Sequence, residues 1–113
     1  GLLMPEEHYL TLSNNNVTIT KEFFDKDALI VENSGIKSVS LSKDCEPVVE
    51  VMFKAPVFGL WSAAGKGVPF VCIEPWYGRT DAIDSDGSLT AREWGNELAG
   101  GETFTGGYRC KFL

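Results

Sequence analysis

Short runs of β-branched and aromatic residues recur about every ten positions along this chain, each closed off by Gly, Pro or Asn. Leu10-Thr11-Leu12 and Asn16 to Thr20 flank the turn-forming Ser13-Asn14-Asn15. Ala28 to Val31 is a compact apolar run ended by Asn33-Ser34-Gly35. Ile36, Val39 and Leu41 alternate loosely with Lys37, Ser38 and Ser40, which gives a strand with one wet face. Val48 to Phe53, Val57 to Ser62, Val68 to Glu74 and Tyr108 to Leu113 complete the set. Strands of this length and spacing predict an all-β sandwich. One short helix is expected over Thr90 to Leu98, where Leu89, Trp94 and Leu98 stand at near-helical spacing and Gly95 weakens the pattern.

Composition bounds what such a sandwich can do. The 113 residues are 43% hydrophobic and 12% aromatic, enough apolar material for one small domain with a core. No apolar run approaches the ~18 residues of a membrane helix. The first residues, Gly1-Leu2-Leu3-Met4-Pro5-Glu6-Glu7, lack the basic and long apolar regions of a signal peptide. A formal charge of −6 argues against nucleic acid or an anionic membrane as partner, because both require a basic surface. The three cysteines, Cys45, Cys72 and Cys110, stand at unrelated spacings, and two of them fall in apolar runs. Buried free thiols in a reducing cytoplasm are the reading this favours.

The chemistry concentrates in Cys72-Ile73-Glu74-Pro75-Trp76-Tyr77-Gly78-Arg79. Pro75 lacks an N–H and is expected to stop the ladder, leaving Glu74 at a strand end. A carboxylate there is desolvated, which moves its pKa toward the range of a general base. Trp76 and Tyr77 offer flat faces for a sugar or a base, and Arg79 suits an oxygen-rich ligand. The plainer alternative is a Glu74–Arg79 salt bridge at a sheet edge, with both aromatics packed as core.

Weaker signals lie elsewhere in the chain. Asp84 to Glu93 matches much of a calcium-binding loop, yet Ala82 stands where the first ligand belongs, so an acidic Asp-Gly turn is the better reading and no metal is expected. His8, the sole histidine, lies beside Pro5, Glu6 and Glu7 and reads as an exposed residue. Asp27 precedes a strand at a turn, Asp81 is placed to pair with Arg79, and Trp61 reads as core. Gly65-Lys66-Gly67 lacks the rest of a phosphate-binding spacing.

Phe58-Gly59-Leu60-Trp61-Ser62, a short Gly/Lys linker and then Pro69 to Arg79 together resemble the C-terminal signature of aldose 1-epimerases. The pattern is most similar to the galactose-mutarotase-like subgroup that includes the lactose-operon LacX proteins. Phe23 to Ile30, Arg92-Glu93-Trp94, Leu98, Gly101 to Phe104 and Tyr108 extend it from about Leu10 to Leu113. Residues 1–9 are then a tail, and 10–113 the C-terminal portion of a mutarotase-like β-supersandwich. The resemblance implies interconversion of the α and β anomers of a free aldose, without a cofactor. A base takes the proton of the anomeric hydroxyl while an acid protonates the ring oxygen, and the opened sugar closes on its other face. Glu74 matches the family's base and Asp27 its sugar-contacting aspartate, with Asp25 one register slip away; Trp76 and Arg79 are the further sugar contacts expected from their own chemistry. The family's acid is a histidine outside the matched portion, which His8 does not match in context.

A single base without its acid predicts little or no turnover from this chain alone. Half a sandwich also leaves an apolar sheet face open, so the chain is expected either to form a homodimer through that face or to close a smaller sandwich. The competing reading is a non-enzymatic carbohydrate-binding module that uses the same surface.

Overall fold

A computed structural model describes residues 1–113 and contains six strands in two antiparallel three-stranded sheets. The strands are β1 (Leu29–Glu32), β2 (Ser38–Lys43), β3 (Glu46–Phe53), β4 (Val57–Trp61), β5 (Cys72–Trp76) and β6 (Tyr108–Phe112). The first sheet has the order β1-β4-β5 and the second β2-β3-β6. The chain is therefore all-β, as expected for a sandwich of the mutarotase-like kind.

The core lies where the two sheets face each other. Strand periodicity puts Val51 and Phe53 on the inner face of the second sheet and Phe58 on that of the first. With Ala55 in the link between β3 and β4, these four are buried and packed against Val31, Val39, Leu60 and Ile73. The Phe53 and Phe58 rings stand 5.3 Å apart with a tilt of 48°, an arrangement that favours attraction between ring edge and face. The link is short because β3 and β4 belong to different sheets, and Lys54-Ala55-Pro56 turns the chain across the layer.

The sandwich is thin. Only 7 of 113 residues are buried, and the radius of gyration is 15.8 Å. A compact domain of this length has about 13 Å by the usual scaling. Large apolar side chains stay uncovered at both ends. Leu10, Leu12, Val17 and Ile19 are exposed, and so are Tyr108 and Phe112 of β6.

Several expectations are corrected by local geometry. The Thr90–Leu98 piece is not a helix but a chain of turns, closed by Arg92 N–H to Leu89 and Gly95 N–H to Arg92. Trp94 stands at φ 57°, which a continuing right-handed helix cannot contain. The runs over 10–12 and 16–20 are not strands; only Ser13 and Asn16 pair, around Asn14 and Asn15 at φ 49° and 61°. Two left-handed residues in succession make the hairpin turn whose twist suits flanking strands, and asparagine tolerates that conformation. Residues 68–71 run outside β5. Pro75 does not end the ladder, since it sits opposite Phe58 within β5. An edge strand accepts proline because one side of its backbone has no partner. Residues 1–3 are held: Leu3 bridges Ala82 in parallel, and the Thr80 hydroxyl donates to the Gly1 carbonyl at 2.7 Å.

Candidate active site on the outer face of the first sheet

Register fixes which side chains share the outer face of the first sheet. Phe58, Leu60 and Ile73 point to the core, so Gly59, Trp61, Cys72, Glu74 and Trp76 point the other way. Ile30 and Glu32 of β1 join them, opposite Gly59 and Val57. Val57 on this face is fully buried, so the surface is covered in part by side chains and by the loop after β5.

Glu74 is half-buried on an edge strand, neither free in solvent nor enclosed in the core. Its Oε2 accepts a hydrogen bond from the indole Nε1 of Trp76 at 3.2 Å. The indole reaches back along the strand to do this, and its six-membered ring lies against Gly59. Cys72 stands two residues before Glu74 on the same face. Burial raises the Cys72 thiol pKa above its ordinary value, and the negative charge of Glu74 raises it further.

Arg79 does not pair with Glu74, nor with Asp81. Its guanidinium bridges Glu32 at the end of β1 and Glu93 in the long loop after β5. The other oxygen of Glu32 accepts from the indole Nε1 of Trp94 at 3.0 Å. Asp81 instead pairs with Arg92 Nε at 2.7 Å. Asn96 donates to the backbone carbonyl of Tyr77, and the Tyr77 hydroxyl exchanges hydrogen bonds with the backbone of Gly107. These contacts fold the loop back onto the strand ends. They bound an open cleft of about 490 Å3 lined by Trp76, Tyr77, Gly78, Arg79, Arg92 and Asn96 among others. That size falls within the ~300–1,000 Å3 range of small-molecule sites. Trp76 is the residue shared by the cleft and the Glu74 pair.

The remaining sequence candidates scatter. Asp27 is exposed at φ 87°, and its Oδ1 accepts from the Ala28 N–H at 2.8 Å, so its carboxylate is turned onto its own backbone two residues before β1. Trp61 packs against Phe70 at 5.9 Å between ring centres. Asp86 caps the Ser88 N–H at 2.8 Å, the geometry of an Asx turn. His8 is exposed. Cys45 and Cys110 are exposed rather than buried, because Cys45 occupies the hairpin turn between β2 and β3 and β6 is bare. Sequence reasoning missed Glu32, Glu93 and the role of Gly59. Glu32 is the one charge in β1, and it shares the face of Ile30, a signal visible once the strand was placed.

Among solved structures, the chain is similar to the galactose mutarotase related enzyme from Lactobacillus acidophilus, seen in a 1.9 Å crystal structure. The two share 36% identity with a TM-score of 0.78, over 86% of this chain and 33% of that one. The chain thus spans about a third of the length of that protein. No family model matches the sequence, and no curated protein matches it.

Proposed function

We propose, from the premise that this chain belongs to the galactose mutarotase-like family, that Glu74 is the base of an anomer-interconverting site. The observation carrying this is the half-buried Glu74 carboxylate, held by the Trp76 indole on a sheet face beside an open cleft. A carboxylate fixed by one donor keeps a second oxygen for the anomeric hydroxyl of an aldose. The proton it accepts from C1–OH must be matched by one delivered to the ring oxygen, so the C1–O5 bond opens only where an acid stands across the sugar. The exposed His8 has no contact that would place it there. In this reading the segment supplies the base and the sugar platform, Trp76, while Arg79 borders the ligand, and Asp27 reaches it only if its carboxylate leaves the Ala28 N–H. Arg79, already bridged to Glu32 and Glu93, acts by fixing the cleft wall.

Polarimetry on freshly dissolved α-galactose or α-glucose tests the assignment. The chain alone is expected to accelerate mutarotation little or not at all over buffer. Should it accelerate well beyond that, loss of the gain in Glu74→Gln is required. Acceleration that survives Glu74→Gln would dismiss Glu74 as the base. Sugar binding measured by calorimetry, without turnover and weakened by Glu74→Gln, would favour the carbohydrate-binding reading instead.

The bare face of the second sheet also has a proposed occupant, a second copy of the chain. Tyr108 and Phe112 share the inner face of Phe53 and Val49, their pairing partners, and lie 64% and 84% exposed. Edge-to-edge pairing of two β6 strands centred on Cys110 would set Arg109 against Lys111 of the second copy, and like charges directly opposite are unfavourable. The dimer expected is therefore face to face.

A further inference from the structure

The buried glycine of β4 lies directly under the candidate base pair. Gly59 is the register partner of both Ile30 on β1 and Glu74 on β5, so it sits mid-row on the outer face. A Cβ built on it would come within 2.9 Å of Cζ2 of Trp76, and within 3.3 Å of Cε2 and Cη2. Side-chain carbons do not approach that closely in real structures, and the obstructing atoms belong to a rigid bicyclic ring. The ring cannot bend aside at one atom; it has to rotate as a whole. Rotation carries Nε1 away from Oε2 of Glu74, because Cε2, one of the crowded atoms, is bonded to Nε1.

We infer that Gly59 is a positioning residue: its bare backbone is the seat on which the Trp76 indole lies, and that seat aims Nε1 at the Glu74 carboxylate. Gly59 is not needed here for a left-handed backbone, since it stands within a regular strand. Glycine weakens a strand interior by lacking a side chain to pack, so its presence at a central strand position calls for a close approach by another group. The indole supplies that approach. Trp76 also lines the open cleft, so the part of its ring not seated on Gly59 stands where the C–H face of a pyranose would rest in that reading. The sugar platform rests on the reading given for Glu74; the seating of the indole does not.

The test reads the indole N–H groups of Trp61, Trp76 and Trp94 by nitrogen-15 NMR across a pH titration, with each resonance assigned by a Trp→Phe variant. In the wild-type chain the Trp76 signal should move with a carboxylate titration that disappears in Glu74→Gln. In Gly59→Ala that movement should fall to less than half, while the Trp94 signal, held by Glu32, keeps its own. An unaltered Trp76 titration in Gly59→Ala, with Trp94 intact, overturns the inference. A thermal cycle covers a failure to fold. Gly59→Ala should lower Tm by several degrees with Trp at 76 and by less than half as much in a Trp76→Leu background. Equal losses in both backgrounds overturn the inference equally. Polarimetry and sugar binding by Glu74→Gln report on the base assignment separately, so either idea can fail alone.

Discussion

The two sheets have the same number of strands and the same antiparallel pairing, yet they are finished differently. On the first sheet, an outer face that could have been left to water is organised by two carboxylate–indole pairs, Glu74 with Trp76 and Glu32 with Trp94. A loop is tied across it through Arg79. On the second sheet, the inner face is covered at Val51 and Phe53, while every residue of β6 is exposed. Polar chemistry gathers on the sheet whose core side is fully used, and open apolar surface gathers on the one whose core side runs out. The proposed chemistry lies on the completed sheet, and the proposed association on the incomplete one.

The sharpest way to break this contrast is a pair of matched truncations. Phe58→Ala removes a ring that is 4% exposed, and it should cost about 3–5 kcal/mol in urea unfolding, the usual range for a core phenylalanine. Phe112→Ala removes the same ring from the end of β6, 84% exposed in the single chain, and at concentrations that keep the chain monomeric should change stability by less than about 0.5 kcal/mol. Comparable losses at the two sites would mean that β6 is covered in solution. That outcome leads to the next measurement.

If a second copy covers the face, Phe112→Lys should shift the sedimenting species from dimer toward monomer, and Tyr108→Lys should add to the shift. The charge enters an apolar contact that has no partner for it. Arg109→Glu, on the opposite face of the same strand, should leave the dimer in place. A dimer untouched by both inner-face lysines would move the contact elsewhere, to the exposed Leu10, Leu12, Val17 and Ile19 of the N-terminal hairpin.

Strand positions were legible in the sequence wherever alternation and burial agreed, as in Val48–Phe53 and Val57–Trp61. They failed where an apolar run had no partner strand: Leu10–Leu12 and Asn16–Thr20 carry strand residues but pair only at the turn. Pattern records what a segment can bury, not whether a neighbour is there to receive it. The helix expected at Thr90–Leu98 failed for another reason. Its Trp94 is drawn to Glu32 on β1, 62 positions away, and its Glu93 to Arg79 before the loop, contacts that local periodicity cannot register. Glu74 with Trp76 was legible because both lie in one short strand. The pairings expected for Arg79, with Glu74 or Asp81, failed because its partners come from β1 and from the loop.

The smallest effect expected is also the one that reads the electrostatics beside Glu74 directly. Thiolate, not thiol, is alkylated by iodoacetamide, so the rate at a given pH follows the fraction ionised. Burial, and then the Glu74 charge, raise the Cys72 pKa, so at pH 8 less of it is thiolate than of an unperturbed cysteine. Cys45 and Cys110 are exposed and should be modified first. Mass spectrometry of peptides from timed quenches should show Cys72 lagging by several-fold, with its pH–rate midpoint displaced upward. Glu74→Gln removes the charge but not the burial, so the midpoint should move down only part of the way. A full return to the behaviour of Cys45 would make Glu74 the dominant influence, and no movement at all would place the two side chains out of electrostatic reach. The second result would also separate the carboxylate from the face on which its proposed chemistry depends.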